Sequence, residues 1–272
     1  MVRGIVLRIL GSNKLQVKET EDTSQYGEQK IIREILGKMN DVSGSQYVVD
    51  VGASNGIEAS NTYPLFKNGA RGLLIEPDPD KFASLADIYK QFNVNLFRGY
   101  ATPENILNIF KSCHVPREPT FMNFDIDSYD YFVLQKIFED YRPNLICVEI
   151  NEKIPPPLKF AVLYNPDHNY TGDHFYGMSI SALGDLCVKY SYDIICLNYI
   201  NTFIIPHEKN LHFLPISPEK AYNSGYRERK DRKEKFPWNS NMEELLNMNP
   251  EEALNFVNKF FSNYGDRYIL SY

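Results

Sequence analysis

A chain of 272 residues and 31.5 kDa is long enough for one large α/β domain or two small ones, and it needs no disulfide or metal staple to fold. Hydrophobic residues at 43% and charged residues at 24% sit near globular averages, which excludes collagen-like, low-complexity and wholly disordered classes. A net charge of −6 with a pI near 5.5 argues against a protein that holds nucleic acid by bulk electrostatics.

Residues 1–23 read as an N-terminal extension. Its first stretch, MVRGIVLRILG, is broken by Arg3 and Arg8 and has no cleavage pattern. No apolar run approaches the roughly 20 residues of a membrane span. A soluble, cytoplasmic protein is the expectation. Cys113, Cys147, Cys187 and Cys196 form no CxxC pair and read as reduced core residues, not as a disulfide framework or a zinc site.

A helix is predicted over Glu28 to Met39, where Ile32, Ile35, Leu36 and Met39 keep helical spacing. Apolar runs of strand length then alternate with helix-period stretches. Strands are predicted at Tyr47–Val51, Gly72–Glu76, Val94–Arg98, Thr120–Asp125 and Leu145–Ile150, in the rhythm of a parallel sheet covered by helices on both faces. Pro155 to Gly177 reads as a long loop carrying His168 and His174, a lid or a plain surface excursion. A helix over Ser179–Lys189 precedes strands at Tyr192–Leu197 and Thr202–Ile205, whose short connection permits only an antiparallel pair. The expected fold is therefore α/β, a seven-stranded mostly parallel sheet with an antiparallel closing hairpin, spanning 24–214. Residues 215–272 read as a charged C-terminal extension, solvated over Ser217–Phe236. It ends in a docking helix begun by Pro250 and stopped at Gly265, with Ala253, Phe256, Val257, Phe260 and Phe261 on one stripe. Dimerisation is the alternative use of that stripe, so a homo-oligomer stays open.

The sharpest local signal is Asp50-Val-Gly-Ala-Ser-Asn-Gly56 with Glu76 closing the next strand. Glycines at a strand-to-helix turn admit a ligand to the backbone, and an acidic residue ending the second strand can accept both hydroxyls of a ribose. The pattern is neither a P-loop nor GxGxxG. Together with Ser24-Gln25-Tyr26-Gly27-Glu28, Ser60-Asn61-Thr62, Gly72-Leu-Leu-Ile-Glu-Pro77 and Phe124-Asp-Ile-Asp127, it resembles the FkbM-like branch of the class I S-adenosylmethionine-dependent methyltransferases, over about residues 24 to 206.

That resemblance implies a Rossmann-like fold and S-adenosylmethionine as cofactor. Gly52, Ala53 and the neighbouring Asp50, Ser54, Asn55, Gly56, Asn61, Pro77 and Asp125 would line its site, Glu76 would bind the ribose, and Gly99–Thr102 would approach the adenine. It also implies a sugar or other polar hydroxyl, in a small molecule or glycan, as the methyl acceptor. Where such sequences commonly carry D-V-E-G, this chain has Asp125-Ile-Asp127-Ser-Tyr-Asp130, and the next strand ends in Glu149-Ile-Asn151. Oxygen ligands from Asp125, Asp127, Glu149 and Asn151 suit Mg²⁺ or Ca²⁺; a helix cap at Asp130 and a backbone-orienting Asp125 without metal explain the same residues. An alcohol acceptor needs a base, for which His174 in the lid and Asp127 are the candidates. A nicotinamide-dependent oxidoreductase, or an inactive scaffold of the same fold, are the rival functions. Asn169-Tyr-Thr171 is formally a glycosylation triplet, without meaning in a chain read as unsecreted.

Overall fold

The computed structural model describes residues 22–39, 46–168 and 170–272. The first 21 residues of the N-terminal extension, and Asn169 of the glycosylation triplet, lie outside them. Among the described residues, strands β1 (Tyr47–Val51), β2 (Arg71–Glu76), β3 (Val94–Arg98), β4 (Phe121–Phe124), β5 (Ile146–Glu149), β7 (Tyr192–Asn198) and β8 (Asn201–Pro206) form one sheet in the order β3-β2-β1-β4-β5-β8-β7. All run parallel except β8, which is antiparallel to both β5 and β7. This is the Rossmann-like sheet with an antiparallel closing hairpin that the sequence predicts.

Alternation along each strand feeds two separate cores, because successive side chains leave opposite faces. Val49, Ile75, Met122, Phe124 and Val148 pack on one face with α4 (Ile106–Ser112), α5 (Asp130–Asp140) and α6 (Ile180–Tyr190). Val48, Leu74, Phe121 and Cys147 pack on the other with α1 (Glu28–Lys38), α2 (Tyr63–Lys67) and α3 (Pro79–Tyr89). Helix starts follow local chemistry. Asp78 accepts from Asp80 and Lys81 N–H ahead of Pro79, and Ser179 accepts from Ala182 N–H.

Three regions differ from the sequence reading. The 155–177 stretch is not all loop: Lys159–Val162 is β6, paired antiparallel with β9 (Tyr268–Ser271) at the far end of the chain. Such a pairing leaves no local periodicity to read. The tail helix, α9 (Pro250–Phe260), carries the expected start, with an Asn249–Glu252 capping box. It docks, however, on this ribbon and not on the main sheet. Ala253, Val257 and Phe261 are buried with Phe160, Val162 and Phe175, and Phe175 stacks on Tyr264 at 3.7 Å.

Nor is the charged 217–236 stretch simply solvated. Ala221, Tyr222, Tyr226 and Phe236 are buried in the sheet core, while the exposed charges face outward. No helix among the described residues is long and apolar enough to cross a membrane.

Candidate functional site at the carboxyl edge of the sheet

The parallel strands bring the sequence motifs to one edge, as an open α/β sheet requires. After β1 the chain turns at Gly52, whose φ is 91°; the N–H groups of Gly52 and Ala53 both donate to Ile75 O, at 3.0 and 2.9 Å. Glu76, 5% exposed, is gripped on both oxygens: Ser54 N–H donates to Oε2 and Asp78 N–H to Oε1, each at 2.8 Å. A carboxylate offers about four acceptor positions, so each oxygen keeps one for a further donor.

A cavity of about 400 Å³ lies over this edge. Of the sequence-predicted cofactor residues, Asp50, Gly52, Ala53, Ser54, Asn61, Glu76, Pro77 and Asp125 line it; Asn55 and Gly56 do not. Asn55 shapes the turn, accepting from the N–H groups of Ile57 and Glu58. Gly56 packs where a Cβ would lie 2.5 Å from Leu85 and Tyr89. From the loop after β3, Tyr100 and Ala101 reach the cavity wall.

Asp125, Asp127 and Glu149 come together at the ends of β4 and β5, one ligand oxygen of each lying within 4.8 Å of the others. Asp127 adopts a left-handed φ of 52°, a conformation aspartate tolerates better than most residues. Burial and the neighbouring Asp127 charge push the Asp125 carboxyl well up. Burial and Asp125 do the same to Glu149, and burial raises Asp127 against the pull of Lys81 and Lys153. Three crowded carboxyls thus hold protons more tightly than usual. The chemistry of this donor set fits a hard divalent cation.

For the fourth predicted ligand, Asn151, the structure occupies the nitrogens and leaves Oδ1 buried without a hydrogen-bond partner. Its backbone N–H donates to Met178 O at 2.8 Å, and its Nδ2 donates to the carbonyls of His174 and Tyr176 at 2.8 and 2.9 Å. Asp130 stays out of the cluster. It is the first residue of α5, whose N-cap position is Tyr129, and so is not the helix cap the sequence suggested; it accepts instead from Ile126 and Ser128 N–H in the preceding turn at 3.1 and 2.9 Å, and burial raises it to about 6.

His174 is turned away from the cavity, its Nε2 3.0 Å from Asn241 Oδ1 and its ring against Phe260. The same segment instead brings His168 and Tyr170 to the cavity wall. His168 Nε2 is buried without a hydrogen-bond partner, and burial with the nearby Arg267 charge lowers its pKa. The sequence holds no signal that separates two histidines of one aperiodic segment.

Asp50 lies under the cavity floor, accepting from Thr62 Oγ1 at 2.5 Å and Asn123 Nδ2 at 3.0 Å. Burial outweighs both bonds and raises its pKa from 3.8 to about 6. Because the folded value exceeds the unfolded one, the native state binds the extra proton. The cost of ionisation is therefore absent below about pH 4 and complete above about pH 6. Asp50→Asn, whose amide can serve Thr62 and Asn123 together, is expected to raise ligand-free stability at pH 8 by on the order of 1–3 kcal/mol. In urea titrations the gain should vanish by pH 4; an equal gain at both pH values would contradict the assignment.

No protein-family model and no curated protein matches the sequence. Solved structures do, among them a protein described as a hemolysin from Streptococcus thermophilus, with 13% identity, coverage of 80% of this chain and 79% of that one, and a TM-score of 0.48. A protein described as an O-methyltransferase from Klebsiella pneumoniae has 12% identity, coverage of 67% and 80%, and a TM-score of 0.43. An S-adenosylmethionine-dependent methyltransferase from Clostridium acetobutylicum has 9% identity, coverage of 66% and 92%, and a TM-score of 0.42. Several other similar structures are described as methyltransferases. Likeness at such scores does not decide function, which rests on the cavity and its side chains.

Proposed function

We propose that the chain is an S-adenosylmethionine-dependent methyltransferase of FkbM-like type, acting on a hydroxyl of a sugar or other polar small molecule with help from a divalent cation. One observation carries the reading: Glu76, held on both oxygens by Ser54 and Asp78 N–H, shares a single cavity with the Gly52 turn and with Asp125 and Asp127. The donor set fits the cofactor, since buried acceptors at Asn61 Oδ1 and Asp125 Oδ1 lack partners. When bound, the cofactor supplies a methyl group activated on a sulfonium.

Glu76 would accept the ribose hydroxyls, the Gly52–Ser54 backbone would border the methionine part, and Tyr100 would border the adenine. Asp125, Asp127 and Glu149 would hold Mg²⁺ or another hard cation, which would lower the pKa of a coordinated acceptor hydroxyl. His168, on the cavity wall, would accept the proton that the acceptor hydroxyl gives up when it takes the methyl group, the role the sequence suggested for His174. The lowered pKa keeps that imidazole neutral and able to accept at pH 7.

The test follows radiolabelled methyl from S-adenosylmethionine onto a panel of neutral monosaccharides and glycosides, with and without chelator. Asp127→Asn and His168→Gln should each lower turnover at least about a hundredfold, typical of removing acid–base or metal chemistry, while His174→Gln should retain most of it. Chelator-insensitive turnover with an unchanged Asp127→Asn rate would remove the cation. Failure of the wild type to bind S-adenosylmethionine would remove the whole reading. Cation binding has its own signature, because the crowded carboxyls must shed protons: the calorimetric heat of Mg²⁺ or Mn²⁺ binding at pH 7 should vary with the buffer's ionisation heat. A buffer-independent heat would mean the carboxyls were already ionised.

A further inference from the structure

The hydrogen bonds under the cavity have a direction. Ionised Asp50 can accept but cannot donate, so Asn123 must turn its Nδ2 to that carboxylate, at 3.0 Å. Asn123 is left with Oδ1 toward Asn61, and Asn61 answers with Nδ2 at 2.9 Å. The remaining end of the chain is Asn61 Oδ1, which is buried and has no hydrogen-bond partner. Asn61 is 6% exposed and lines the cavity. Neither amide can flip without setting like against like at the Asp50 end.

The same cavity holds a second buried acceptor without a donor, Asp125 Oδ1. Ser128 Oγ and His168 Nε2 on the same wall also lack partners but can donate as well as accept, whereas Asn61 Oδ1 can only accept; buried acceptors are ordinarily satisfied, so Asn61 calls for a ligand group that donates. A charged amino group does so, with three N–H bonds and no acceptor.

We propose that Asn61 Oδ1 is the acceptor for the amino group of the cofactor's methionine part, and that Asp50 and Asn123 are positioning residues that fix its polarity. This rests on the cofactor reading above. Glu76 then recognises one end of the ligand by its hydroxyls and Asn61 the other by its amino group.

The experiment titrates S-adenosylhomocysteine, and its analogue with hydrogen in place of the amino group, calorimetrically into the full chain at pH 8. Removing the amino group should weaken wild-type binding about tenfold or more, as loss of a hydrogen bond to a charged group does. Asn61→Ala should bind both ligands with that weakened affinity and no longer discriminate. Asp50→Asn should keep its fold yet lose part of the discrimination, because an amide at 50 lets Asn123 and Asn61 adopt either orientation; a merely structural role would move both affinities together. Where Asn61→Ala melts too low to titrate, Asn61→Ser reads the same ratio. Undiminished discrimination in the Asn61 variant would overturn the proposal, placing the amino group elsewhere and a water on Oδ1. Absence of homocysteine-ligand binding by the wild type would instead remove the cofactor reading, and this inference with it.

Discussion

Glu76→Ala is expected to weaken S-adenosylmethionine binding by about two orders of magnitude or more while leaving the ligand-free protein folded. The carboxylate stands at the end of β2 with each oxygen fixed by a backbone donor at 2.8 Å, so its orientation is set before any ligand arrives. Two ribose hydroxyls donated to a prealigned anion are worth roughly 1.5–3 kcal/mol each, and each 1.4 kcal/mol is about tenfold in affinity. Truncation also leaves Ser54 and Asp78 N–H without their acceptor. Glu76→Gln should fall between wild type and alanine, since its amide nitrogen must face a backbone N–H on one side. Calorimetric titration of the three proteins measures the series, with melting temperatures as the check on folding. Equal affinity in wild type and Glu76→Ala would sink the ribose assignment.

The parts of this site that were legible in the sequence are those that backbone periodicity delivers. A parallel sheet places every strand's carboxyl end on one edge, so the turn after Val51, Glu76 at the end of β2, and the carboxylates after β4 and β5 had to converge once the strands were recognised. Asn151 shows where that logic stops. It is two residues beyond Glu149, and an extended strand would put both side chains on one face; β5 ends at Glu149, however, and the next turn gives the Asn151 Nδ2 to the carbonyls of His174 and Tyr176 while its Oδ1 stays without a partner. His168 and His174 are likewise sorted by contacts that local sequence does not show, His174 by Asn241 and Phe260 from the distant tail and His168 by Phe175. Asn123 was illegible for a different reason: a polar residue inside a buried strand acquires its meaning from a neighbouring strand's Asp50 and from Asn61 beyond it.

Gly52→Ala should be the most damaging single substitution at this edge. Its φ of 91° lies where side chains are rarely tolerated, but conformation alone is the smaller part of the cost. Gly27, with φ 83° and nothing within 4 Å of an added Cβ, measures that part: Gly27→Ala should lose about 1–2 kcal/mol. At Gly52 an added Cβ would lie 1.6 Å from Asp125 O, inside any permissible contact, and the obstacle is backbone that cannot rotate aside. Either the β1 turn or the end of β4 must move. The loss in urea unfolding should therefore reach about 4–5 kcal/mol, at the extreme of single-residue effects, or the variant should not fold. What moves is the junction between the glycine turn and the Asp125 strand end, so cofactor and cation affinities should fall together in any Gly52→Ala protein that remains folded. Equal stability losses at Gly27 and Gly52 would mean that the turn can part from Asp125 without cost. The two halves of the site would then be independent instead of sharing one rigid seam.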